Sequence, residues 1–351
     1  MRPSDPAAVA PRLLPWFDTH GRTLPWRGCG DAYRIWVSEI MLQQTRVDVV
    51  IPYFHRFLER FPSVHALADA DEEDVLAAWS GLGFYRRARN LHAGARQIVE
   101  LHGGELPRDP VALGAIKGIG RYTLGAILSA AWNDPLPILD GNVIRVLSRL
   151  FRVDGAPDRS ATLKVLWCLA EEVLPAGRPG DFNQALMDLG ATVCKPTGPR
   201  CEECPLAAVC AGRAAGDAED FPRPKRRQKV TFVQRVALRI DASDGRFLLE
   251  RRPRGGLLGG MWELPARAIA NGSAQDTIDG LLSDLGLASE TSELGTVEHR
   301  FSHRHWTTRV FRTASDAALE SAAPERRWVA AEELPDLGLP TVSRRAIDLG
   351  A

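Results

Sequence analysis

AIKGIGRYTLGAILSAAWNDPLPILDGNVIRVLSRLF, residues 115–151, contains two helical stretches and the turns that open them. Gly118 and Gly120 flank Ile119, and glycines so placed can take positive φ and let another backbone approach closely. The run that follows, RYTLGAILSAAW, reads as a helix. Its N-terminus and the amides of KGIG can bind a phosphate without reading any base. A GxG alone reads more readily as an ordinary helix turn. Twenty residues after Gly120, Asp-Gly-Asn precedes the amphipathic VIRVLSRLF, which places Asp140 at a helix start as an N-cap. A capping carboxylate is held rigid and its charge is favoured by the helix dipole. The same position therefore suits either a structural cap or an anion needed for chemistry.

The surrounding chain sets the frame. Its 351 residues suffice for two or three domains, and 25% charged with 45% hydrophobic residues excludes wholesale disorder. Lysine plus arginine balance aspartate plus glutamate at 44 each, so a polyanionic partner must meet a local patch rather than a global basic field. No apolar run approaches a membrane span, and the start MRPSDPAAVAPRLLPWF has no long apolar core. A cytoplasmic protein without membrane association is expected. Residues 1–218 read as helical: DEEDVLAAWSGLG, YRRARNLHAGARQIVELHGG and SATLKVLWCLAEEVL show apolar spacings of three and four. DAEDFPRPKRRQKV reads as a linker, taken as 219–229, its basic run being either a solvated tether or a phosphate-contacting strip. Beyond it VTFVQRVALRI, DASDG and RFLLERR form a predicted hairpin. HRFSHRHWTTRVFRT alternates again, and IDGLLSDLGL is helical, giving an α+β domain over 230–351.

Two further stretches carry chemistry. CKPTGPRCEECPLAAVC places Cys194, Cys201, Cys204 and Cys210 on one short loop, with gaps of six, two and five residues. Four such thiolates can wrap a tetrahedral zinc or a four-iron cubane, and a reducing compartment disfavours disulfides. Cys29 and Cys168 lie apart. In SEIMLQQTR, residues 38–46, Glu39 stands among Trp36, Val37, Ile40 and Met41. On a helix Trp36, Glu39 and Gln43 would share a face. A carboxyl desolvated there holds its proton to neutral pH and can act as a general acid. The alternative is a surface glutamate on the polar side of an amphipathic helix.

The cysteine spacing, with proline after the third cysteine, resembles the cluster loop of the endonuclease III superfamily of DNA glycosylases. The order of hairpin, helix and LDGNV is similar to the helix-hairpin-helix glycosylase motif with its aspartate. SEIMLQQT resembles the SEVMLQQT segment of the adenine DNA glycosylase family (MutY type). GRTLPWR precedes it, and GLGFYRRARNLH, PILDGNV, FNQALMDLGATVC and the cysteine loop follow in family order, so the resemblance covers essentially the whole chain.

The resemblance implies a multidomain protein: an all-α helix-hairpin-helix glycosylase domain with an iron–sulfur loop, and an α+β Nudix-like domain. The helical catalytic region would be 1–218, with a six-helix module over about 30–140 and a cluster-bearing module from the N-terminal helix and 141–218. It implies a [4Fe–4S] cluster on the four cysteines. Glu39 would protonate N7 of adenine, and Asp140 would stabilise the sugar cation at C1′, with Tyr122 and Asn142 steering the intermediate. Arg22, Leu24, Trp26, Arg27 and Gln184 map onto the adenine pocket, and Gly118, Ile119 and Gly120 onto the phosphate-binding hairpin. Gln44, Thr45, Leu82 and Phe84 map onto the wedge that probes the opposite base; the family usually has tyrosine at position 84. Where bifunctional relatives carry a nucleophilic lysine, two residues after the last hairpin glycine, this chain has Tyr122. Lys117 replaces the usual proline before the hairpin; it is expected to contact phosphate, with residual lyase chemistry as the lesser alternative because its position does not match the family nucleophile.

GGLLGGMWELPAR followed by IDGLLSDLGL resembles a Nudix fold whose magnesium-binding helix has become DTIDGLLSDLG, with too few carboxylates for nucleotide hydrolysis. Phe301, Ser302 and His303 stand where the family recognises 8-oxoguanine. His303 and His305 are expected on one face of an alternating strand. The implied function is a monofunctional DNA N-glycosylase of base-excision repair. It would act as a monomer, at the bacterial nucleoid, on double-stranded DNA with adenine opposite 8-oxoguanine or guanine. The alternatives are a bifunctional glycosylase/AP lyase of the endonuclease III type and a non-catalytic iron–sulfur DNA-binding protein.

Overall fold

A computed structural model describes residues 5–225, 229–270, 272–315 and 325–350. The chain divides into two compact units, residues 1–69 with 90–227 and residues 70–89 with 228–351. The helices before the linker are α1 (Ala10–His20), α2 (Ala32–Leu42), α3 (Val47–Arg60), α4 (Val64–Asp69), α5 (Glu72–Ala78) and α6 (Arg86–His102). They continue with α7 (Pro110–Gly114), α8 (Arg121–Trp132), α9 (Gly141–Leu150), α10 (Ser160–Glu172), α11 (Pro179–Thr192) and α12 (Ala211–Ala215). The first unit has no strand among the described residues, as its spacing predicts.

Local chemistry sets the helix ends. Asp31 caps α2 by accepting from the amides of Tyr33 at 2.9 Å and Arg34 at 3.2 Å. α2 is apolar nearly all round and lies buried from Ile35 to Met41. It stops at Leu42, where Gln43 turns extended and Gln44 takes a left-handed φ of 61°. Gln43 therefore does not continue the helical face of Trp36 and Glu39, contrary to the spacing argument. In the hairpin between α7 and α8 only Gly118 uses the left-handed region, at φ 90°; a Cβ there would meet that of Asn90 at 2.9 Å. Gly120 is extended, at φ −95°, and is the N-cap of α8, so its expected positive φ is not adopted. Asp140 caps α9 as predicted, accepting from the amide of Val143 at 2.7 Å.

α1, α9, α10, α11 and the cysteine loop share one core, built on Leu13, Val143, Leu147, Leu166, Phe182 and Leu189. Each such side chain contributes on the order of 1.5–3 kcal/mol when taken from water. α11 approaches α9 closely because residue 190 is glycine: a Cβ there would lie 2.6 Å from that of Asn142. The start of the expected linker belongs to this unit too. Phe221 is buried, its carbonyl accepts from Arg149 Nε at 2.9 Å, and Arg223 lies over its ring at 4.5 Å. Residues 226–228 of the basic run lie outside the described residues.

The second unit holds β1 (Thr231–Asp241), β2 (Phe247–Arg251), β3 (Trp262–Glu263), β4 (Ala266–Ala268), α13 (Ala274–Asp284), β5 (Ser292–Arg300), β6 (Arg304–Ala314), β7 (Arg326–Val329) and α14 (Thr341–Asp348). The sheet order is β3-β2-β1-β6-β5, with β4 beside β1 and β7 beside β2. β1 and β6 run parallel from Thr231 opposite Arg304 to Asp241 opposite Ala314, and β1–β2 is the expected hairpin. Val236, Leu238, Ile240 and Phe311 pack with α13, and Ala237, Phe247, Trp262 and Val310 with α14 on the other face. HRFSHRHW, predicted as one alternating strand, folds back instead: β5 ends at Arg300, and the amide of Phe301 donates to the Arg304 carbonyl at 2.7 Å. His303 sits exposed in that turn, so it does not share a strand face with His305. Residues 70–89, expected inside the helical module, belong to this unit: Ser80 Oγ donates to the Leu339 carbonyl at 2.6 Å and Trp262 Nε1 to Glu73 Oε1 at 2.8 Å. Among the described residues no helix is long and apolar enough to cross a membrane.

Candidate active site

An open cavity of about 1180 Å³ lies in the first unit, where the segment before α2, the end of α2, the starts of α8 and α9, and α11 meet. It gathers Arg22, Leu24, Trp26, Arg27, Glu39, Gln44, Thr45, Gly118, Gly120, Tyr122, Asp140, Asn142 and Gln184. Glu39 and Asp140, a hundred residues apart in sequence, thus face the same space.

Glu39 is only 6% exposed, and Trp36 beside it on α2 is fully buried. The phenol of Tyr122, on the first turn of α8, donates to Glu39 Oε2 at 2.6 Å and also approaches Met187 Sδ at 3.6 Å. Burial pushes the Glu39 carboxyl up to about 7, and the charge of Asp140 adds to the rise; the Tyr122 hydrogen bond and Arg27 pull the other way. Burial likewise raises the Tyr122 hydroxyl well above its ordinary value, so the phenol is a donor throughout the neutral range. Asp140 divides its oxygens: Oδ1 caps α9 and Oδ2 accepts from Asn142 Nδ2 at 2.9 Å. Asn142 Oδ1 in turn accepts from Arg145 Nη2 at 2.9 Å. A neutral acid and a hydrogen-bonded carboxylate therefore flank one cavity, the pairing that protonates a leaving group and stabilises a cation.

The arginines mapped to the pocket are not free. Asp188, which the sequence reading did not single out, is fully buried and pairs with Arg22 at 2.6 Å and Arg27 at 2.7 Å. Burial alone would raise Asp188, but the hydrogen bonds and charges of Arg27 and Arg22 outweigh it and hold the carboxyl below the ordinary range. Trp26 is nearly buried and meets Phe54 edge-on at 5.2 Å. In the hairpin, the amide of Lys117 donates to Gln97 Oε1 at 2.7 Å and that of Ile119 to the Ile116 carbonyl at 3.1 Å. The Ile119 side chain is buried and anchors the turn. Two of the four KGIG amides, those of Lys117 and Ile119, are thus already engaged within the protein.

Leu82 and Phe84 belong to the second unit. Leu82 is buried, not presented as a wedge, whereas Phe84 is 47% exposed at a left-handed φ of 49°. The Arg87 guanidinium lies over its ring at 5.5 Å and over Trp79 at 5.4 Å. Phe301, Ser302 and His303 form the β5–β6 turn.

Cys194, Cys201, Cys204 and Cys210 ring a separate small cavity of about 30 Å³, with Arg149 and Arg213. Arg149 Nη1 stands 3.4 Å from Cys194 Sγ and donates to the Lys195 carbonyl at 2.6 Å, fixing the loop. Among the described residues no group of three His, Cys, Asp or Glu is gathered tightly enough for a single ion. Four thiols lining one cavity, with Arg149 and Arg213 beside them, are in kind and number the donor set that an iron–sulfur cluster takes.

A model of the HhH-GPD superfamily base excision DNA repair proteins matches residues 37–172, and one of the NUDIX domain matches residues 235–349. The adenine DNA glycosylase of Mus musculus is 36% identical over 97% of this chain and 78% of its own length. That of Homo sapiens is 34% identical over 95% and 72%. Among solved structures, a thermostable thymine-DNA glycosylase superposes with a TM-score of 0.55 at 29% identity, over 60% of this chain and 97% of its own.

Proposed function

The chain belongs to the adenine DNA glycosylase family, and from that premise we propose that it excises adenine paired with 8-oxoguanine or guanine in duplex DNA by hydrolysis of the N-glycosidic bond. The observation that carries this reading is the shared cavity of Glu39, raised to about 7, and the Asn142-bonded Asp140.

The target nucleotide must leave the stack before its sugar can be reached. The extruded adenine enters between Leu24, Trp26 and Gln184. Glu39, protonated in the larger part below pH 7, gives its proton to N7, so the base departs as a neutral leaving group. The electron-poor sugar left behind is stabilised at C1′ by Asp140, whose position is fixed by the α9 cap and by Asn142. Deprotonated Glu39 then takes a proton from the attacking water, and Tyr122 holds its carboxylate in place. Gly118, Gly120 and the first turn of α8 grip a backbone phosphate. Phe84 stacks beside the opposite base, and the turn of Phe301, Ser302 and His303 reads it; phenylalanine at 84 supplies stacking without a hydroxyl contact.

Cys194, Cys201, Cys204 and Cys210 would hold a [4Fe–4S] cluster, whose role is to brace the loop through which the helical unit meets DNA. The enzyme is read as a cytoplasmic monomer. Tyr122 offers no amine, so a Schiff base with the sugar is not formed.

The deciding assay is single-turnover release of adenine from a duplex with one 8-oxoguanine:A pair, with borohydride added in parallel. Release without a trapped covalent adduct is expected. Strong trapping would favour the lyase reading, and DNA binding without release the non-catalytic one.

A further inference from the structure

We propose that Asp188 is a positioning residue of the excision site: it holds Arg22 and Arg27 against the cavity wall and balances the guanidinium that faces Glu39, so that Glu39 keeps its proton. The inference rests on the reading of Glu39 as the general acid.

Asp188 lies on α11 behind the cavity, with 0% of its side chain exposed. Both its oxygens are saturated by a fork of donors. Arg27 Nη1 reaches Oδ2 at 2.7 Å and Nη2 reaches Oδ1 at 2.8 Å, while Arg22 gives Nε to Oδ1 at 2.7 Å and its backbone amide to Oδ2 at 2.9 Å. Arg27 also donates to the Arg22 carbonyl at 2.9 Å, so the three residues form one rigid unit. The side chain of Arg27 is 12% exposed and lines the cavity that Glu39 lines.

The charged and titratable groups facing Glu39 are Tyr122 from α8, Asp140 from the head of α9 and Arg27 from the segment before α2. Other cations of the wall are paired away from it, Arg46 with Asp48 and Arg121 with Glu171. Arg27 favours the ionised form of Glu39, as any nearby cation must. Paired in a fork with a buried carboxylate, it has its charge partly offset, Arg22, Arg27 and Asp188 together carrying a single net positive charge. Without that carboxylate it would act as a full charge in a low-dielectric wall, and Glu39 would lose its proton at lower pH.

The test is the pH dependence of single-turnover adenine release from the 8-oxoguanine:A duplex. Wild-type enzyme should lose activity as pH rises through about 7. In Asp188→Asn this alkaline limb should move down by about one pH unit, lowering release at pH 8 about tenfold with duplex binding retained. Asp188→Glu, which restores the charge, should return the limb to its wild-type position. Arg27→Gln should move it upward. A purely structural Asp188 would lower release by one factor at every pH and leave the limb in place, and that result overturns the proposal. Should Asp188→Asn fail to fold, Arg27→Gln decides, an unmoved limb again overturning it. Absence of release by the wild-type enzyme would instead strike the reading of the cavity itself.

Discussion

Glu39 in the helical unit and Glu263 in the sheet unit are buried to nearly the same degree, at 6% and 7% exposure, yet they keep different company. Glu263 receives Arg235 Nη2 at 2.9 and 3.2 Å and is also paired with Arg252, and both guanidiniums stack on Trp306. Glu39 receives a phenol from Tyr122 and, among the described residues, no bonded guanidinium; Arg27 acts on it from a distance. A carboxylate clasped by guanidiniums is stable architecture, because its charge is matched where it sits. A carboxyl left in a low-dielectric site without a bonded cation holds its proton and can hand it on. Burial alone distinguishes nothing; the donor at hydrogen-bond distance does. Asp188 belongs with Glu263 in this respect, although its partner Arg27 lines the cavity that Glu39 lines.

Glu39→Gln should sharpen the contrast most. Release of adenine is expected to fall by ~10³-fold or more, as for loss of a general acid, while binding to the mispaired duplex persists in a gel-shift assay. The same substitution should stabilise the fold at alkaline pH. A carboxyl raised from 4.5 to about 7 contributes its full stability below pH 4.5 and loses it as pH climbs through 7. At pH 8 the variant should therefore exceed wild type by about 3 kcal/mol in denaturant unfolding, with the gap closing by pH 4.5. Glu263→Gln should do the reverse, costing about 3 kcal/mol by leaving Arg235 and Arg252 unmatched, with adenine excision chemistry retained at saturating DNA. If both variants stabilised, the distinction between the two buried sites would be void. The smallest effect is expected from Tyr122→Phe. The lost hydrogen bond favours the charged form of Glu39, so its removal should shift the alkaline limb of release upward by about half a pH unit.

Much of this was legible from residue types. An ionisable group amid Trp36, Ile40 and Met41 announces a desolvated carboxyl, and Asp-Gly-Asn before an amphipathic run announces a capped helix. The cysteine spacing brought four thiols to one cavity. What escaped depends on partners remote in sequence or on turns without the usual signals. Asp188 sits in ALMDLG, where it reads as the polar side of a helix; its arginines lie 161 and 166 residues away. The β5–β6 turn contains neither glycine nor proline, so alternation seemed to run straight through it. Residues 70–89 carry the helical spacing of their neighbours, and only hydrogen bonds such as Ser80 to Leu339 assign them to the other unit.

The close approach of α11 to α9 at Gly190 makes the site vulnerable from behind. One added methyl there would press on Asn142, and through it on Asp140 Oδ2, the oxygen that accepts from Asn142. An alanine at this position could silence excision with every acid, base and thiol intact, an injury that an inventory of reactive groups would overlook.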